Sequence, residues 1–596
     1  MDGVLTPPPP GPHPLVPGGS GASAWARRAG LALMGLLLVA MSALPDEQLL
    51  RTKVLGVEAL LAGTAFLLLL DCIICTEVLY YCNKVYLYVS LPLILAVLWG
   101  LVGLVPSGTL FDDELVRLAS LPLALFSAVT LGRARRTRRI LLGLLLAGLA
   151  PVAAMAVGQH LAGLLELPID RIERPPGTFG NPVFFAAILV LVLPAALAAA
   201  LFEDGGLRWT GALAAGLGLP ALYATQGRAA WAGFAVAMAT GTVLLVPARR
   251  PRLALLGTLV VVAAGLLAAN REALERPSEH ALIWRDTWRM ALEHPWGVGP
   301  GQFHVAFPPY ASPELLAAHP RTDRIINDAH SEPLQILAEL GWLGLLLALV
   351  LLISLLRAAR SALQTLEARD RPVGAGLAAG LAGWTVTSLA SPDARFHVTP
   401  IAVGCVAGWL LAPAARPARI GPGGRILAGV LALVVLAVGA QRLQQRLELR
   451  DLALRTPELA PERGSAAETS LARELVAANP LDPEAHFRLG LAAASARDWS
   501  LAAKAFESCS RLAPGHLAAR RATALTQALA GRTDQAIPAL RAWLVAQPDD
   551  GDVRYMLAYV LFSRGDVSGA LHETEALLAH DPEHRLGLLL RERLRE

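Results

Sequence analysis

Long apolar runs recur from near the N-terminus to about residue 441 and constrain the fold of this 596-residue chain more than any other feature. Each run contains about 16 to 23 residues, the length of helix that crosses a hydrocarbon core of roughly 30 Å. The runs lie near 29–44, 54–71, 85–106, 114–132, 140–159, 180–202, 208–223, 229–246, 252–269, 334–356, 373–390, 397–413 and 425–441. They predict an all-α, multi-pass transmembrane helix bundle with about 12–14 crossings.

The composition supports a membrane protein and excludes several other classes. Apolar residues make up 54% of the chain and charged residues only 17%, which is far from the average of soluble domains. The net charge of +4 is too small to indicate a nucleic-acid partner. Five cysteines in so long a chain exclude a disulfide scaffold. Cys72, Cys75 and Cys82 have no histidine or second CxxC nearby that would complete a zinc site.

Arginine clusters in the connections between runs predict the topology. They occur at 133–139, 247–252, 357–371 and 415–425. All four connections fall on one side of the membrane if the runs are counted in order, and the positive-inside rule assigns this side to the cytoplasm. The opposite side then carries the long polar loop 270–333. An odd number of crossings places everything after Gln441 on that opposite side as well.

The two ends of the chain differ from the apolar region. Residues 1–24 are too rich in Pro, Gly and Ser to pack, so we expect a disordered tail. Residues 25–445 form the predicted transmembrane region, including loop 270–333. The composition changes again near 464, where a charged and alanine-rich region begins and continues to residue 596.

A period of 34 residues marks this C-terminal region. Three sets of residues keep the period: Pro480, Pro514, Pro548 and Pro582; Ala502, Ala536 and Ala570; Gly531 and Gly565. The pattern resembles the tetratricopeptide repeat, in which small residues let paired helices approach and a proline ends each unit. The resemblance implies a helical solenoid over 464–596 whose concave surface docks a protein or a chain-like ligand. A helical spacer that binds nothing is the alternative.

Five motifs stand in and before the long loop. They read RPPGTFGNP (174–182), TQGRAAW (225–231), SEHALIWRDTWR (278–289), HPWGVGPGQF (294–303) and DAHSEPLQILAELG (328–341). Their content and order resemble the O-antigen ligase and Wzy-type polymerase family. In that family an arginine-bearing helix, a glycine-rich turn after His-Pro, and an H(N/S)xxLQxxxExG helix start follow one another.

The resemblance implies a reaction, its substrates and a location. The family transfers a glycan from undecaprenyl diphosphate to an acceptor hydroxyl on the outer face of the bacterial inner membrane. The acceptor is a lipid A core for a ligase, a growing polysaccharide for a polymerase, or a protein for an O-oligosaccharyltransferase, and these alternatives stay open. The N-terminus is then cytoplasmic and the tetratricopeptide region is periplasmic, where it is expected to bind a protein partner. Membrane lipids surround the bundle.

Arginine side chains suit the donor chemistry. A glycosyl diphosphate already has a good leaving group, so the enzyme must hold two phosphates and help remove the acceptor proton. Planar guanidinium groups bind phosphate oxygens well, and the predicted diphosphate ligands are Arg174, Arg228, Arg285 and Arg289. Arg285 and Arg289 share one helical stripe, beside which Trp284 and Trp288 form a second stripe suited to a lipid–water interface. The resemblance departs at His280, where related sequences often place an arginine.

His330 is the predicted catalytic base, together with Arg228 and with Asp328 as the residue that orients it. An imidazole with an unperturbed pKa of about 6.5 accepts a hydroxyl proton at neutral pH. Glu339 follows within the next membrane helix, where a carboxylate is costly in lipid and is expected in a buried polar network. His294, His304 and His319 form no metal-binding pattern with acids, so the sequence predicts no metal site and no cofactor.

Two rival functions remain open. A metal-dependent glycosyltransferase needs paired carboxylates in an outer loop, for which Asp46-Glu47 and Asp112-Asp113 are the candidates. A non-enzymatic transporter of lipid-linked sugars needs charges distributed through the depth of the membrane. The charges of this sequence gather at the ends of the apolar runs, which favours the transferase.

Overall fold

The computed structural model is almost entirely helical over the residues that it describes. These are residues 21–43, 59–69, 77–78, 113–162, 172–269, 279–318, 326–396, 398–415, 418–419, 422–455, 466–478, 480, 483–512 and 516–595. Within them the strands are confined to β1 (Glu77–Val78) and β2 (Ala418–Arg419), which pair in antiparallel fashion. The prediction of an all-α protein is confirmed.

Fifteen α-helices lie in the described part of the apolar region. In chain order they are α1 (Gly21–Ala43), α2 (Ala59–Leu69), α3 (Asp113–Leu131), α4 (Arg135–Leu161), α5 (Pro182–Phe202), α6 (Gly205–Ala224), α7 (Arg228–Leu245), α8 (Arg249–Ala269), α9 (His280–Glu293), α10 (Phe303–Ala306), α11 (Pro313–Ala318), α12 (Glu332–Thr365), α13 (Arg371–Thr387), α14 (Val398–Leu411) and α15 (Pro422–Arg455). Every predicted apolar run coincides with one of these helices except 85–106, which lies outside the described residues.

Several of these helices have the length and composition of membrane spans. In the described part of the chain, five helices are long and apolar enough to cross a membrane: α4, α5, α7, α12 and the segment Arg371–Ala390 that contains α13. Four shorter apolar helices accompany them, at Ala59–Leu69, Val116–Leu131, Val398–Ala414 and Arg425–Val438. The predicted membrane bundle is therefore confirmed, whereas the number of crossings stays a prediction.

Helix α5 occupies the centre of the bundle. Its side chains are buried almost continuously from Phe185 to Ala199, as expected for a helix that is apolar on all sides. Helix α13 packs closely against α5, and a Cβ atom at Gly380 would collide with the carbonyl oxygen of Leu191. Glycine is required there because only the absence of a side chain permits this approach of two backbones.

Ion pairs join connections at one end of the bundle. The Arg138 guanidinium lies 2.9 Å from the Asp370 carboxylate, and Arg135 also pairs with Asp370. The carboxylate of Glu203 is almost fully buried and pairs with Arg135 and Arg139. The connections near 133–139 and 366–371 thus lie at the same end, in agreement with their predicted location on one side of the membrane. The identity of that side stays a prediction.

The C-terminal region consists of antiparallel helices that pack against their sequence neighbours. Their bounds are α16 (Ala466–Ala478), α17 (Pro483–Ser495), α18 (Trp499–Leu512), α19 (Leu517–Leu529), α20 (Thr533–Ala546), α21 (Gly551–Ser563), α22 (Val567–His580) and α23 (Arg585–Arg595). Ala502, Ala536 and Ala570 are fully buried between helices. This arrangement confirms the predicted tetratricopeptide solenoid.

A left-handed residue recurs in the turn within each helix pair. The φ angle is +74° at Gly531 and +82° at Gly565, and Arg497, which stands 34 residues before Gly531, has a φ of +58°. Glycine adopts such angles without steric cost, whereas arginine does not. Glycine therefore recurs after 34 residues, at 531 and 565, because the turn requires this left-handed angle.

Candidate functional site

The turn before α12 holds His330 in an unusual backbone conformation. Its φ angle is +49°, in the left-handed region that few residues other than glycine adopt. The Oδ1 atom of Asp328 accepts a hydrogen bond of 2.9 Å from the backbone N–H of His330 and lies 3.0 Å from its Nδ1 atom. A carboxylate at Nδ1 favours the proton on that nitrogen, so Nε2 is left as the acceptor.

His280, the first residue of α9, stacks on His330. The ring centroids are 4.8 Å apart and the ring planes differ by 21°. Burial lowers the pKa of His280, and the nearby charges of His330 and Arg228 lower it further, against the opposing effect of Asp328. His280 is therefore uncharged at neutral pH. The positive charge of Arg228 thus acts electrostatically on His280.

Arg174 and Arg228 are both attached to the turn at 225–227. Arg228 begins α7 immediately after the turn that ends α6, and Gln226 in this turn has a left-handed φ of +51°. The Nε atom of Arg174 donates a hydrogen bond of 3.1 Å to the carbonyl oxygen of Thr225 in the same turn. The two motifs that contain these arginines, far apart in the sequence, are thus joined by a direct contact.

The motif RPPGTFGNP fixes the loop that carries Arg174. Phe179 is buried and stacks on Phe185 with ring centroids 5.5 Å apart, while the ring of Phe396 approaches it edge-on at 6.0 Å. Asn181 caps α5, because its side-chain oxygen accepts a hydrogen bond of 2.8 Å from the second amide of the helix. Most of this motif therefore anchors the loop, and Arg174 is its charged member.

A kink in α12 explains two further motifs. Gly341 has a φ of +69° and interrupts the helix. The carbonyl oxygens freed before the kink accept hydrogen bonds from the glycine-rich turn: Val298 N–H donates to Ala338 at 2.9 Å, and Gly299 N–H donates to Glu339 at 3.0 Å. The HPWGVGPGQF turn and the ExG sequence are therefore two halves of one backbone contact.

Glu339 lies in the buried polar network that the sequence predicts for it. Its Oε1 atom accepts hydrogen bonds from Gln335 Nε2 at 2.7 Å and from Arg395 Nη1 at 2.9 Å, and Arg117 lies 3.4 Å from its Oε2. The Oε1 atom of Gln335 in turn accepts a hydrogen bond of 2.7 Å from the backbone N–H of Ala329. This network links the turn that carries His330 to the helices of the bundle.

Sequence reasoning did not identify Arg117, Arg395 or His280 as members of the site region. Arg117 carried a signal, since it is the one arginine within the apolar run 114–132, and a cation in such a run usually has a buried partner. For His280 the only indication in the sequence was that related sequences often have an arginine at this position. Its stacking on His330 depends on the three-dimensional path of loop 270–333, which spacing alone does not reveal.

Arg285 and Arg289 have different surroundings from Arg228. The Nη2 atom of Arg285 donates hydrogen bonds to Ser312 Oγ at 2.6 Å and to Glu314 Oε2 at 3.2 Å, and its Nε donates to Asp286 at 3.1 Å. Arg289 lies 3.6 Å from the same Asp286 carboxylate. These contacts connect α9 to the segment that begins α11.

The two arginines also lie away from His280 on α9. Arg285 follows His280 by five residues and Arg289 by nine, which corresponds to rotations of about 140° and 180° around the helix axis. Burial would raise the pKa of Asp286, but hydrogen bonds from Ser312 and Arg285 outweigh this effect and lower it. Asp286 is therefore a charged, buried partner of Arg285.

The other candidate residues of the sequence analysis are the possible metal ligands and the histidines of the long loop. Over the described residues there is no group of three or more His, Cys, Asp or Glu side chains that could hold a metal ion. His294 contacts the hydroxyl of Tyr310 at 3.1 Å. Several residues named in the sequence analysis lie outside the described residues: Asp46, Glu47, Cys72, Cys75, Cys82, Asp112 and His319.

A bundle of apolar helices with guanidinium and imidazole groups gathered at one end defines an integral membrane protein with a polar site at its helix ends. Residues 213–349 match the family model described as O-Antigen ligase. Residues 462–516, 493–551 and 527–594 match models described as Tetratricopeptide repeat. One segment of the chain thus matches an O-antigen ligase model and its C-terminal region matches tetratricopeptide repeats, and both predicted resemblances are confirmed. A comparison with curated proteins finds no match to the chain.

The matched family gives the broad function. The family is one of membrane glycan ligases and polymerases, and the match implies glycosyl transfer that uses a lipid-linked glycan and an acceptor. The matched segment contains Arg228, α9, the glycine-rich turn and His330, while Arg174 lies before it. Tetratricopeptide repeats are usually protein-interaction modules.

Proposed function

We propose that this protein transfers an oligo- or polysaccharide from undecaprenyl diphosphate to an acceptor hydroxyl at the periplasmic face of the bacterial inner membrane. The proposal rests on the stack of His280 on His330, on Asp328 beside Nδ1 of His330, and on the electrostatic effect of the Arg228 charge on His280. This group combines a permanent cation with an oriented proton acceptor, the two functions that a glycosyl diphosphate donor requires.

In the proposed reaction, the guanidinium groups of Arg228 and Arg174 bind the two phosphates of the donor. The Nε2 atom of His330 accepts the proton of the acceptor hydroxyl as its oxygen forms a bond to the anomeric carbon. The bond between this carbon and the phosphate oxygen breaks, and undecaprenyl diphosphate leaves with the bonding electron pair. Asp328 stabilises the imidazolium that forms.

Arg285 and Arg289 are predicted diphosphate ligands with existing partners. Asp286 and Glu314 already accept hydrogen bonds from Arg285, and Arg289 lies beside Asp286. We assign the reacting diphosphate first to Arg228 and Arg174, because the hydrogen bond from Arg174 to Thr225 attaches both arginines to one turn and the charge of Arg228 acts on His280. Lysine substitutions at Arg228 and Arg289 distinguish the two groups, since lysine keeps the charge and loses the planar fork.

We also propose that the transfer needs no metal ion, because fixed guanidinium groups neutralise the diphosphate at every relevant pH. Purified protein assayed in excess chelator tests this. Persistent transfer supports the arginine assignment, and a complete loss that magnesium or manganese restores favours the carboxylate-dependent rival.

The proposed topology divides the chain into a tail at 1–24, a membrane domain at 25–445 and a periplasmic repeat domain at 464–596. It rests on the arginine clusters and on an odd number of crossings. A reporter fused after Gln445 should behave as periplasmic. Cytoplasmic activity of the fusion overturns the topology without affecting the assignment of His330.

The direct test of the function uses the purified full chain in lipid vesicles. An undecaprenyl-diphosphate-linked oligosaccharide is supplied with a lipid A core, a polysaccharide end or a peptide as acceptor. The proposal predicts release of undecaprenyl diphosphate and a new glycan on one acceptor. Movement of the intact donor across the vesicle membrane without bond cleavage supports the transporter instead.

The choice among ligase, polymerase and protein glycosylation follows from a deletion strain. Loss of glycan from lipopolysaccharide identifies a ligase, short-chain polymer identifies a polymerase, and an unglycosylated protein identifies an O-oligosaccharyltransferase. We name the ligase first because the matched family model is described as O-Antigen ligase.

A further inference from the structure

Helix α9 presents three different sectors around its axis. Ile283 and Met290 are buried in a small core that α10, α11 and the start of α12 share. Trp288 and Leu292, four residues apart, are 45% and 58% exposed and form a second, apolar sector. Arg285, Arg289 and Glu293 keep the same spacing on a third sector that carries charge. A helix in water has no need for the exposed apolar sector.

Helix α12 shows where lipid begins. Its exposed side chains repeat at intervals of three and four residues and are Trp342, Leu346, Leu349, Ile353 and Leu356. No charged residue stands between Trp342 and Leu356, a stretch that rises about 22 Å as a helix. Arg357 and Arg360 follow at its far end. This stripe has the composition of a lipid-facing surface with a tryptophan at one interface and arginines at the other.

The apolar sector of α9 continues the lipid-facing stripe of α12. The ring of Trp288 meets the ring of Trp342 edge to face, with centroids 5.7 Å apart and an interplanar angle of 89°. Trp342 stands at the end of the stripe that is nearest to His330 in the sequence. The two exposed tryptophans therefore lie at the same membrane depth, and tryptophan is enriched at membrane interfaces.

We propose that α9 is an interfacial helix that lies in the membrane surface on the His330 side, with Trp288 and Leu292 inserted among the lipids. The partner is the bulk lipid surface. Three sectors then meet three surroundings: protein at Met290, lipid at Leu292, and headgroups and water at Arg289. This placement rests on the membrane fold and holds whether or not the proposed glycan transfer is correct.

The placement has a consequence for the site. His280 begins α9, so an interfacial α9 fixes the stacked imidazoles at the depth where the diphosphate of a membrane-anchored donor meets water. This consequence, unlike the placement itself, depends on the proposed function. The two are therefore tested in separate experiments, the first without donor.

The test uses nitroxide labels at single cysteines in the full chain, with native cysteines replaced, in vesicles of phosphatidylethanolamine and phosphatidylglycerol only. The two test positions are Leu292→Cys and Arg289→Cys, on adjacent sectors of one helix. Leu346→Cys on α12 is the lipid control, and Val545→Cys, 84% exposed in the repeat region, is the water control. The measured quantity is the accessibility of each label to lipid-soluble oxygen and to a water-soluble nickel chelate.

We expect the label at 292 to resemble the label at 346, with oxygen accessibility several-fold above that of the chelate, and the label at 289 to show the opposite preference. Chelate access at 292 equal to that at 545 overturns the proposal. So does a label at 292 that becomes oxygen-accessible only when undecaprenyl diphosphate is added, since the sector then receives the donor tail. Equal protection from both reagents, which indicates a second copy, overturns it too.

A second position protects the test against misfolding. Trp288→Cys lies on the same sector as Leu292→Cys and repeats the measurement if the first variant is not produced. Met290→Cys, on the buried sector, should remain inaccessible to both reagents in a folded protein. Agreement between positions 288 and 292 supports the placement of the whole sector, and chelate access at both overturns it.

Discussion

Arg228 and Arg285, both in or near loop 270–333, have different neighbours. The charge of Arg228 lowers the pKa of His280, whose ring stacks on His330. Arg285 donates its hydrogen bonds to Asp286, Ser312 and Glu314 within its own loop. A guanidinium that contacts carboxylates stabilises its own loop, whereas the charge of Arg228 acts on the imidazole of His280. This difference in neighbours is the reason why we propose Arg228 as a donor ligand and Arg285 as a structural residue.

The largest effect is expected at His330. His330→Ala removes the proton acceptor and should lower the transfer rate by about a hundredfold to ten-thousandfold. Binding of the lipid-linked donor should survive, because the arginines remain. Transfer rate and donor affinity are measured on the same purified variant, after its insertion in the membrane has been checked. A variant that retains the full transfer rate removes His330 from the mechanism.

The neighbours of Arg285 should show their effect in stability instead. Asp286→Ala leaves the buried amide of Ser312 without its 2.8 Å hydrogen bond and takes a partner from Arg285, which should cost about 1–3 kcal/mol locally. Hydrogen exchange in residues 303–318 should accelerate, while transfer per folded molecule changes little. Glu314→Ala is the matched control, because this carboxylate is 65% exposed and should contribute less. A hundredfold loss of transfer in Asp286→Ala with unchanged exchange contradicts the comparison.

The pH dependence of the transfer rate tests whether the protonation of His280 affects His330. Its pKa is lowered below 6.5 by burial and by the charges of His330 and Arg228, so it is neutral at pH 7 and gains a proton only as the pH falls further. That second charge, on a ring 4.8 Å from His330, opposes proton transfer to His330. The wild-type rate should therefore fall by more than about tenfold per pH unit at acid pH, whereas His280→Gln should fall by about tenfold. Equal slopes between pH 5 and 8 show that the two rings do not interact.

The smallest effect is expected at Arg289. Arg289 is 58% exposed, and its distance to Asp286 is 3.6 Å, which is a weak surface contact. Arg289→Gln should change the transfer rate by less than about fivefold, since such pairs contribute roughly 0–1 kcal/mol. The transfer rate at two salt concentrations is the measurement. A tenfold loss of the transfer rate in this variant assigns Arg289 to the arginines that bind the donor.

The sequence predicts the repeats and the membrane helices because their patterns are local. Each 34-residue unit places Ala536 or Ala570 in the same pocket between neighbouring helices, and the glycines at 531 and 565 mark the left-handed turn directly. Arg497 occupies the equivalent turn of an earlier repeat and also has a positive φ, although arginine as a residue type does not predict that angle. Periodicity therefore predicts the positions of turns more reliably than residue identity does.

The site is predicted less completely because its contacts are long-range. Motifs identify His330 and Arg228, but the pairing of Arg117 with Glu339 joins residues 222 positions apart. His280 stacks on His330, and the backbone of His330 is left-handed, an angle that the sequence does not specify. Arg285 shows the opposite problem, since its motif indicates a ligand and its three-dimensional neighbours are carboxylates. Family motifs thus select the region of the site, and the fold decides which side chains meet.

A comparison of Arg228→Lys with Arg289→Lys tests most directly whether Arg228 binds the donor diphosphate. Both substitutions keep one positive charge and remove one planar fork, so they differ only in which arginine they alter. The affinity for the undecaprenyl-diphosphate-linked glycan and the transfer rate are measured for each variant in the same vesicles. We expect donor affinity and transfer rate to fall together in Arg228→Lys and to stay near wild type in Arg289→Lys. Unchanged affinity and rate in Arg228→Lys, with a loss of both in Arg289→Lys, would contradict the assignment of the donor diphosphate to Arg228.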